Sequence, residues 1–265
     1  MERQNKNIEK LRKEIDRIDK SLIELFQERM EQVIEIMEYK MENKLPIFQL
    51  DREERVIQRA LSNLKDNNFA NEVEDYIKSI LKISRQMQSQ KLFPYNILLI
   101  GFMGTGKTTV GRDLAEKLAM DYIDTDELIQ GRCNMSINDI FKHYGENYFR
   151  TIEKDIIKEI SNRKNTLILC GGGVVLHDEN IKNLRKNGKS ILLRAKASTI
   201  YQRIKDEDTR PLLKEEMSIQ KIEVLLKNRD RAYYNSADII IDTDDKSIGE
   251  ISVEIINELY NIKEC

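Results

Sequence analysis

Gly101-Phe-Met-Gly104-Thr-Gly106-Lys107-Thr108-Thr109 contains the first glycines of the 265-residue chain and fits G-x-x-x-x-G-K-[ST], the phosphate-binding loop. Before it stands Asn96-Ile-Leu-Leu-Ile100, a short apolar run that reads as a buried parallel strand. After it, Val110 to Leu118 reads as a helix. Strand, loop, helix is the context the motif requires. Such a loop turns its backbone N–H groups onto phosphate oxygens, aided by the positive end of the following helix. Lys107 then reaches the β- and γ-phosphates and the Thr108 hydroxyl ligates Mg²⁺. Gly104, Thr105, Gly106 and Thr109 complete the loop's part of the predicted nucleotide-binding set. The loop predicts a nucleoside triphosphate ligand.

On either side of this loop the chain changes character. Residues 1–92 hold no glycine and a single proline, Pro46, whereas residues 96–265 alternate apolar strands with amphipathic helices. The predicted organisation is a helical domain at 1–92, a connector at 93–95 in which Pro94 stops a helix, and an α/β domain at 96–265. Formal net charge is −2, so no global field recruits nucleic acid or an anionic membrane. No stretch has the apolar length of a membrane span, and Met1 to Lys20 is charged throughout, unlike a secretory leader. Cys133, Cys170 and Cys265 are scattered without metal-ligand spacing, as expected of reduced thiols in a cytoplasmic protein. The two histidines, His143 and His177, make a His-rich metal site or a Ser-His-Asp triad improbable.

In the first half, Ile8, Leu11, Ile15, Ile18, Leu22 and Leu25 step by three and four along one helix face, continuing through Val33 and Ile36. Nothing breaks this helix before the turn at Asn43–Pro46, so it should be about 55 Å long at 1.5 Å per residue. A lone segment of this size cannot cover so long a stripe, and burial favours a second copy packed along it. Two shorter helices should follow, near Asp51–Leu64 and Asn71–Lys91.

Polar residues interrupt these apolar faces. Arg29 follows Leu25, Lys40 follows Ile36, and Ser84 and Gln88 follow Val73, Ile77 and Ile80 on the third helix. Any one such cation can snorkel to solvent. Two cations and two neutral hydrogen-bonding groups on inward faces together suggest a pocket for a small anion, because buried cations require a compensating charge.

Residues 8–90 resemble the all-helical class of chorismate mutase. The matching stretches are Leu11-Arg12-Lys13-Glu14-Ile15-Asp16-x-x-Asp19, Glu28-Arg29, Lys40, Asp51-Arg52-Glu53 and Ser84-x-x-x-Gln88. The resemblance implies an intertwined dimer of three-helix chains that converts chorismate to prephenate without a cofactor. It assigns Arg12, Arg29, Lys40, Arg52, Glu53, Ser84 and Gln88 to the site. The arginines and Lys40 would hold the two carboxylates, Glu53 the ring hydroxyl, and Lys40 with Gln88 the ether oxygen. Arg12 would come from the partner chain. Fixed cations in a dry pocket suit this reaction, which needs a compact substrate conformer and stabilised charge on the ether oxygen. Gln49 departs from the pattern, standing where many relatives carry Asp near the substrate hydroxyl.

Beyond the loop, Asp121-Tyr-Ile-Asp124-Thr125-Asp126 is an apolar strand ending in two carboxylates, at the strand end that lines the crevice of open α/β sheets. Asp124 is placed to hold Mg²⁺ through water and Asp126 to accept from a substrate hydroxyl, although aspartates in such loops are commonly solvated or capping. Phe149-Arg150-x-x-Glu153 puts an arginine near a helix start, and Thr166-Leu-Ile-Leu-Cys170 runs as a strand into Gly171-Gly172-Gly173. The segment from Arg203 through Arg210-Pro211-Leu-Leu213 reads either as a surface loop or as a closing lid beside the phosphate site.

Residues 96–265 resemble shikimate kinase along their whole length and in order. The resemblance implies a nucleoside-monophosphate-kinase-like α/β fold with a parallel sheet and a lid. Asp126, Arg150, Gly172 and Arg229 would bind shikimate, with Arg231 as an alternative to Arg229. Arg210 would act on the transferred phosphoryl and Arg203 would pack on adenine. The two resemblances together predict a bifunctional enzyme of aromatic amino acid biosynthesis, using ATP with Mg²⁺ in one half. The rival readings are a kinase whose helical half only dimerises or senses a ligand, and a kinase for another small hydroxylated acid.

Overall fold

The computed structural model describes residues 2–43, 45, 49–205 and 218–262. The chain divides into two compact units, 1–88 and 89–265. Among the described residues, no helix is long and apolar enough to cross a membrane.

The first unit is helical. α1 (Glu2–Glu42) is one uninterrupted helix, followed by α2 (Leu50–Ser62), a 3-10 turn (Asn67–Phe69) and α3 (Ala70–Leu92). Within one chain, the face of α1 that goes inward is not the stripe singled out above. Met30 and Met37 are buried, with Phe26 one turn before them and Val33, the one stripe position that turns inward, half-buried between them, while Ile80, Leu81 and Ser84 form the buried side of α3. These α1 positions also step by three and four, and methionine's flexible thioether suits an irregular seam. The predicted stripe stays open: Leu11 is 60% exposed, Ile15 56% and Leu25 61%, with Ile8, Ile18, Leu22 and Ile36 also exposed. The turn residue Pro46 lies outside the described residues.

The division between the units falls at Gln88/Ser89, inside the last turns of α3 and four residues before the predicted boundary. Leu92 and Phe93 are buried at 1% and 0% exposure, and the Phe93 ring packs on Tyr95 and Tyr260. Asn165 donates to the Phe93 carbonyl and to Ser89 Oγ. The stretch expected to be a short connector has its Phe93 side chain buried within the second unit.

That unit is a five-stranded parallel sheet in the order β2-β3-β1-β4-β5. β1 (Asn96–Ile100) is central and buried at every position, with β3 (Thr166–Leu169) and β4 (Gly188–Arg194) beside it. β2 (Asp121–Asp124) and β5 (Ile239–Asp242) form the edges. An apolar run such as Asn96–Ile100 can be buried on both sides only because helices cover both sheet faces. Those helices are α4 (Lys107–Leu118), α5 (Thr125–Cys133), α6 (Ile137–Ile160), α7 (Asp178–Arg185), α8 (Ala197–Ile204), α9 (Ile219–Ser236) and α10 (Ile248–Asn261). From β1 the chain runs out to β2 and β3 on one side and then to β4 and β5 on the other, which opens a crevice at the strand C-termini. α6 is broken at Gly145, whose φ of 78° and ψ of 173° leave the helix, so Arg150 sits in the second turn of the segment that restarts there.

Candidate active sites

The phosphate loop joins the C-terminal end of β1 to α4, and Gly104 and Gly106 take positive φ of 75° and 96° to make the curl. Thr105, 1% exposed, ties the loop to itself by donating to the Phe102 carbonyl at 2.8 Å. The Lys107 ammonium folds back over the loop, donating to the carbonyls of Gly101 at 2.8 Å and Phe102 at 3.0 Å. Thr108 and Thr109 are exposed on the first turn of α4. Arg203 crosses from α8 and is held by the Gly104 carbonyl, the Thr243 hydroxyl at 3.0 Å and the Thr243 carbonyl at 2.9 Å.

Every described residue predicted for this site lines one cavity of about 870 Å³: Gly104 to Thr109, Asp124, Asp126, Arg150, Gly172, Arg203 and Arg229. Asp124 has a structural task as well, because its Oδ1 accepts from the Asp126 and Glu127 backbone N–H groups as the N-cap of α5. Arg229 lines the cavity with its guanidinium 5.4 Å from the centre of the Phe102 ring, while Arg231 points to solvent outside it. Of the two alternatives, Arg229 is the one on the cavity wall. Arg210, with the rest of the predicted lid, lies outside the described residues.

At two glycines of the 171–173 run a side chain would displace a residue of the site. A Cβ on Gly171 would stand 2.4 Å from Asp126 Oδ1, and one on Gly173 2.4 Å from Arg150 Nη1. Thr125 fixes the run from below, its hydroxyl accepting from the Gly171 N–H at 2.8 Å. Arg150 is bound on both sides, to Glu153 and to Glu146.

Two supporting residues were not assigned to the site from sequence. Glu153 was visible only as part of a motif. Tyr233, 3% exposed, donates its hydroxyl to the Gly172 carbonyl at 2.7 Å and also interacts with Arg229. Burial pushes the Tyr233 phenol up to about 12, with Arg229 opposing, so it remains a donor through the neutral range. A buried tyrosine on the helix of Arg229, one turn further on, was the available signal.

In the helical unit a second cluster assembles from three helices. Arg29 of α1 donates to Ser84 Oγ of α3 at 2.7 Å, Ser84 donates to the Ile80 carbonyl at 2.7 Å, and Gln88 Nε2 donates to the Ser84 carbonyl at 3.2 Å. Burial lowers the Arg29 pKa, with Tyr76 opposing. Lys40 donates to Gln49 Oε1 at 3.3 Å, and its pKa is lowered by burial and then by neighbouring Arg52. Glu53 of α2 is bound by Arg85 of α3, a residue absent from the predicted set. Arg12 is exposed on α1 and lies about 25 Å from Arg29 along the helix at 1.5 Å per residue, so one chain does not bring it to the cluster.

A phosphate loop on the central strand of a parallel sheet, facing two arginines across a cavity, defines a P-loop kinase acting on a small acid. Comparison with known proteins makes this particular. Residues 103–260 match the family model described as shikimate kinase, and the chain belongs to that family. Residues 11–89 match the model for chorismate mutase type II, so the two families are fused in one polypeptide.

Among curated relatives, the shikimate kinase of Thermodesulfovibrio yellowstonii is 46% identical over 163 residues, covering 62% of this chain and 94% of its own length. That of Caldanaerobacter subterraneus is 45% identical over 168 residues, covering 63% and 98%. Of solved structures, shikimate kinase from Acinetobacter baumannii in complex with shikimate is 34% identical. It superposes with a TM-score of 0.63 over 66% of this chain and 98% of its own. Shikimate kinase from Aquifex aeolicus is also 34% identical, with a TM-score of 0.56 over 63% of this chain and 98% of its own.

Proposed function

We propose that the chain is a bifunctional enzyme of aromatic amino acid biosynthesis. Residues 96–265 transfer the γ-phosphoryl of ATP to the 3-hydroxyl of shikimate, and residues 1–92 rearrange chorismate to prephenate. The observation that carries the kinase reading is the gathering of Lys107, Asp126, Arg150 and Arg229 around one cavity. Lys107 and the backbone N–H groups of Gly104 to Thr109 neutralise the phosphates, and Arg203 packs on adenine. Arg150 and Arg229 hold the shikimate carboxylate, the Gly172 backbone bounds the ring, and Asp126 orients the attacking hydroxyl. Arg210, outside the described residues, is the further cation assigned to the transferred phosphoryl.

The donors Thr108 and Asp124 are hard oxygens on the cavity wall. That sparse oxygen set fits Mg²⁺, which takes one or two protein oxygens and relies on phosphates and water for the rest. When bound, the ion neutralises charge developing on the phosphates.

For the mutase, Arg29, Lys40 and Arg52 hold the two carboxylates, Glu53 meets the ring hydroxyl, and Lys40 and Gln88 stabilise the ether oxygen as its C–O bond breaks. Ser84 fixes Arg29. Arg12 enters from a second copy whose α1 covers the open stripe from Ile8 to Leu25. The Arg29 guanidinium, half-buried and bonded to the buried hydroxyl of Ser84, supports catalysis over a purely dimerising role. We place the protein in the cytoplasm, where its thiols Cys133 and Cys170 remain free.

The test is a pair of assays on the purified chain. Shikimate with ATP should yield ADP and shikimate 3-phosphate, and chorismate should yield prephenate. ATP turnover that does not depend on shikimate, or chorismate left at its uncatalysed rate, would contradict the respective half.

A further inference from the structure

Arg85 follows Ser84 on α3, and its Nη1 donates to Glu53 Oε2 across the gap to α2. The two side chains are only 20% and 21% exposed, so this pair is unlike the solvent-swept ion pairs that contribute little. Arg52 adjoins Glu53 on α2, and Glu53 is the one carboxylate among the residues assigned to chorismate. A lone carboxylate there would repel a dianionic substrate and would be costly to bury unpaired. The Arg85 bond is made to Oε2, and a hydroxyl would be accepted at Oε1.

We infer that Arg85 is a positioning residue of the mutase pocket: it holds Glu53 so that its second oxygen accepts the substrate's ring hydroxyl, and it offsets the Glu53 charge. The pocket thereby selects a hydroxylated dicarboxylate over one lacking that hydroxyl, since a site built to pair with a hydroxyl is left with an unpaired polar group when it is missing. This inference rests on the chorismate mutase reading above.

The experiment compares the full-length parent with Arg85→Leu, Arg85→Lys, Glu53→Gln and the Arg85→Leu/Glu53→Gln double variant. Each is given chorismate and its analogue without the ring hydroxyl, with kcat/KM and calorimetric affinity as readouts. Arg85→Leu should lose about 10–100-fold on chorismate, the range for a hydrogen bond to a charged group. It should lose little on the deoxy analogue. Arg85→Lys should recover part of the loss, and the double variant should be no worse than Glu53→Gln alone. Equal losses on both substrates, or fully additive effects of the two changes, would overturn the inference, as would unchanged kinetics in Arg85→Leu. If that variant fails to fold by circular dichroism, Arg85→Lys against Glu53→Gln gives the same comparison. A parent that binds chorismate without converting it refutes the mutase reading, and the affinities then decide the role of Arg85. A parent that does not bind it refutes both.

Discussion

Arg150 and Glu153 stand one turn apart on α6, and Arg150 Nη1 donates to both oxygens of the Glu153 carboxylate, at 3.1 and 3.0 Å. Glu153 is 1% exposed, and burial pushes its carboxyl above the usual range, with Arg150 opposing. Burial works against the charge on Arg150 too, but Glu153 and Glu146 outweigh it and hold the guanidinium ionised. The arginine expected to meet the shikimate carboxylate is thus anchored from behind by a buried anion.

A pH dependence follows from the direction of that shift. A raised carboxyl pKa means the proton arrives at a higher pH than on a free glutamate. As pH falls through the raised value, Glu153 becomes neutral and Arg150 loses its fixed partner. The KM for shikimate should therefore rise on acidification, beginning above the ordinary carboxylate range, while the KM for ATP stays level. Glu153→Gln should show a high shikimate KM with that acid limb removed. A limb unchanged in the variant would assign the titration to another group.

Tyr233→Phe deletes one hydroxyl that is bonded to Gly172 and interacts with Arg229. Removing a single hydrogen bond of this kind should raise the KM for shikimate about 5–10-fold. Steady-state kinetics should show the KM for ATP unaltered, since the nucleotide loop is pinned by Thr105 and Arg203 instead. Equal increases in both KM values would mean that the change disturbs the fold rather than the acid-binding wall.

The open stripe on α1 predicts a dimer of twice 31.2 kDa by light scattering. Placing Glu at both Ile15 and Leu22, exposed at 56% and 44% in the single chain, should yield a monomer without mutase activity. Kinase activity should persist, because its site is built from the second unit alone. A dimer that survives both substitutions would place the interface elsewhere.

Gln88 tests the ether-oxygen contact. Gln donates at every pH, whereas Glu donates only when protonated, and a free Glu titrates near ~4.3. Gln88→Glu should lose most mutase activity at neutral pH and regain part of it on acidification. A profile that overlays the parent's from pH 5 to 8 would remove Gln88 from the mechanism.

Local patterns carried much of the fold. Gly101 to Thr109 and the apolar run before it located the central strand and the loop, because a phosphate loop demands both flanks. The glycine run at 171–173 and Arg150 were legible for the same reason: short spacing reflects short-range geometry. The strand Gly188–Arg194 was passed over, since only Ile191, Leu192 and Leu193 in it are apolar and Lys189 and Ser190 interrupt any pattern. On α1, the stripe from Ile8 to Leu25 and the seam of Met30 and Met37 share one spacing, and periodicity cannot tell a face met by the same chain from one left open. Arg85 and Tyr233 were missed because they act on Glu53 and Gly172, partners 32 and 61 residues away that only the folded chain brings together.

Two substitutions assayed on both reactions bear most directly on the claim that one chain holds two independent active sites. Lys107→Ala removes the phosphate cation and should cost the kinase about 3 kcal/mol or more of transition-state stabilisation, roughly a hundredfold or greater. Its conversion of chorismate should match the parent's. Arg29→Ala should abolish the mutase to a similar degree and leave phosphorylation of shikimate intact. Loss of both activities from either substitution, in protein that remains folded by circular dichroism, would contradict the account.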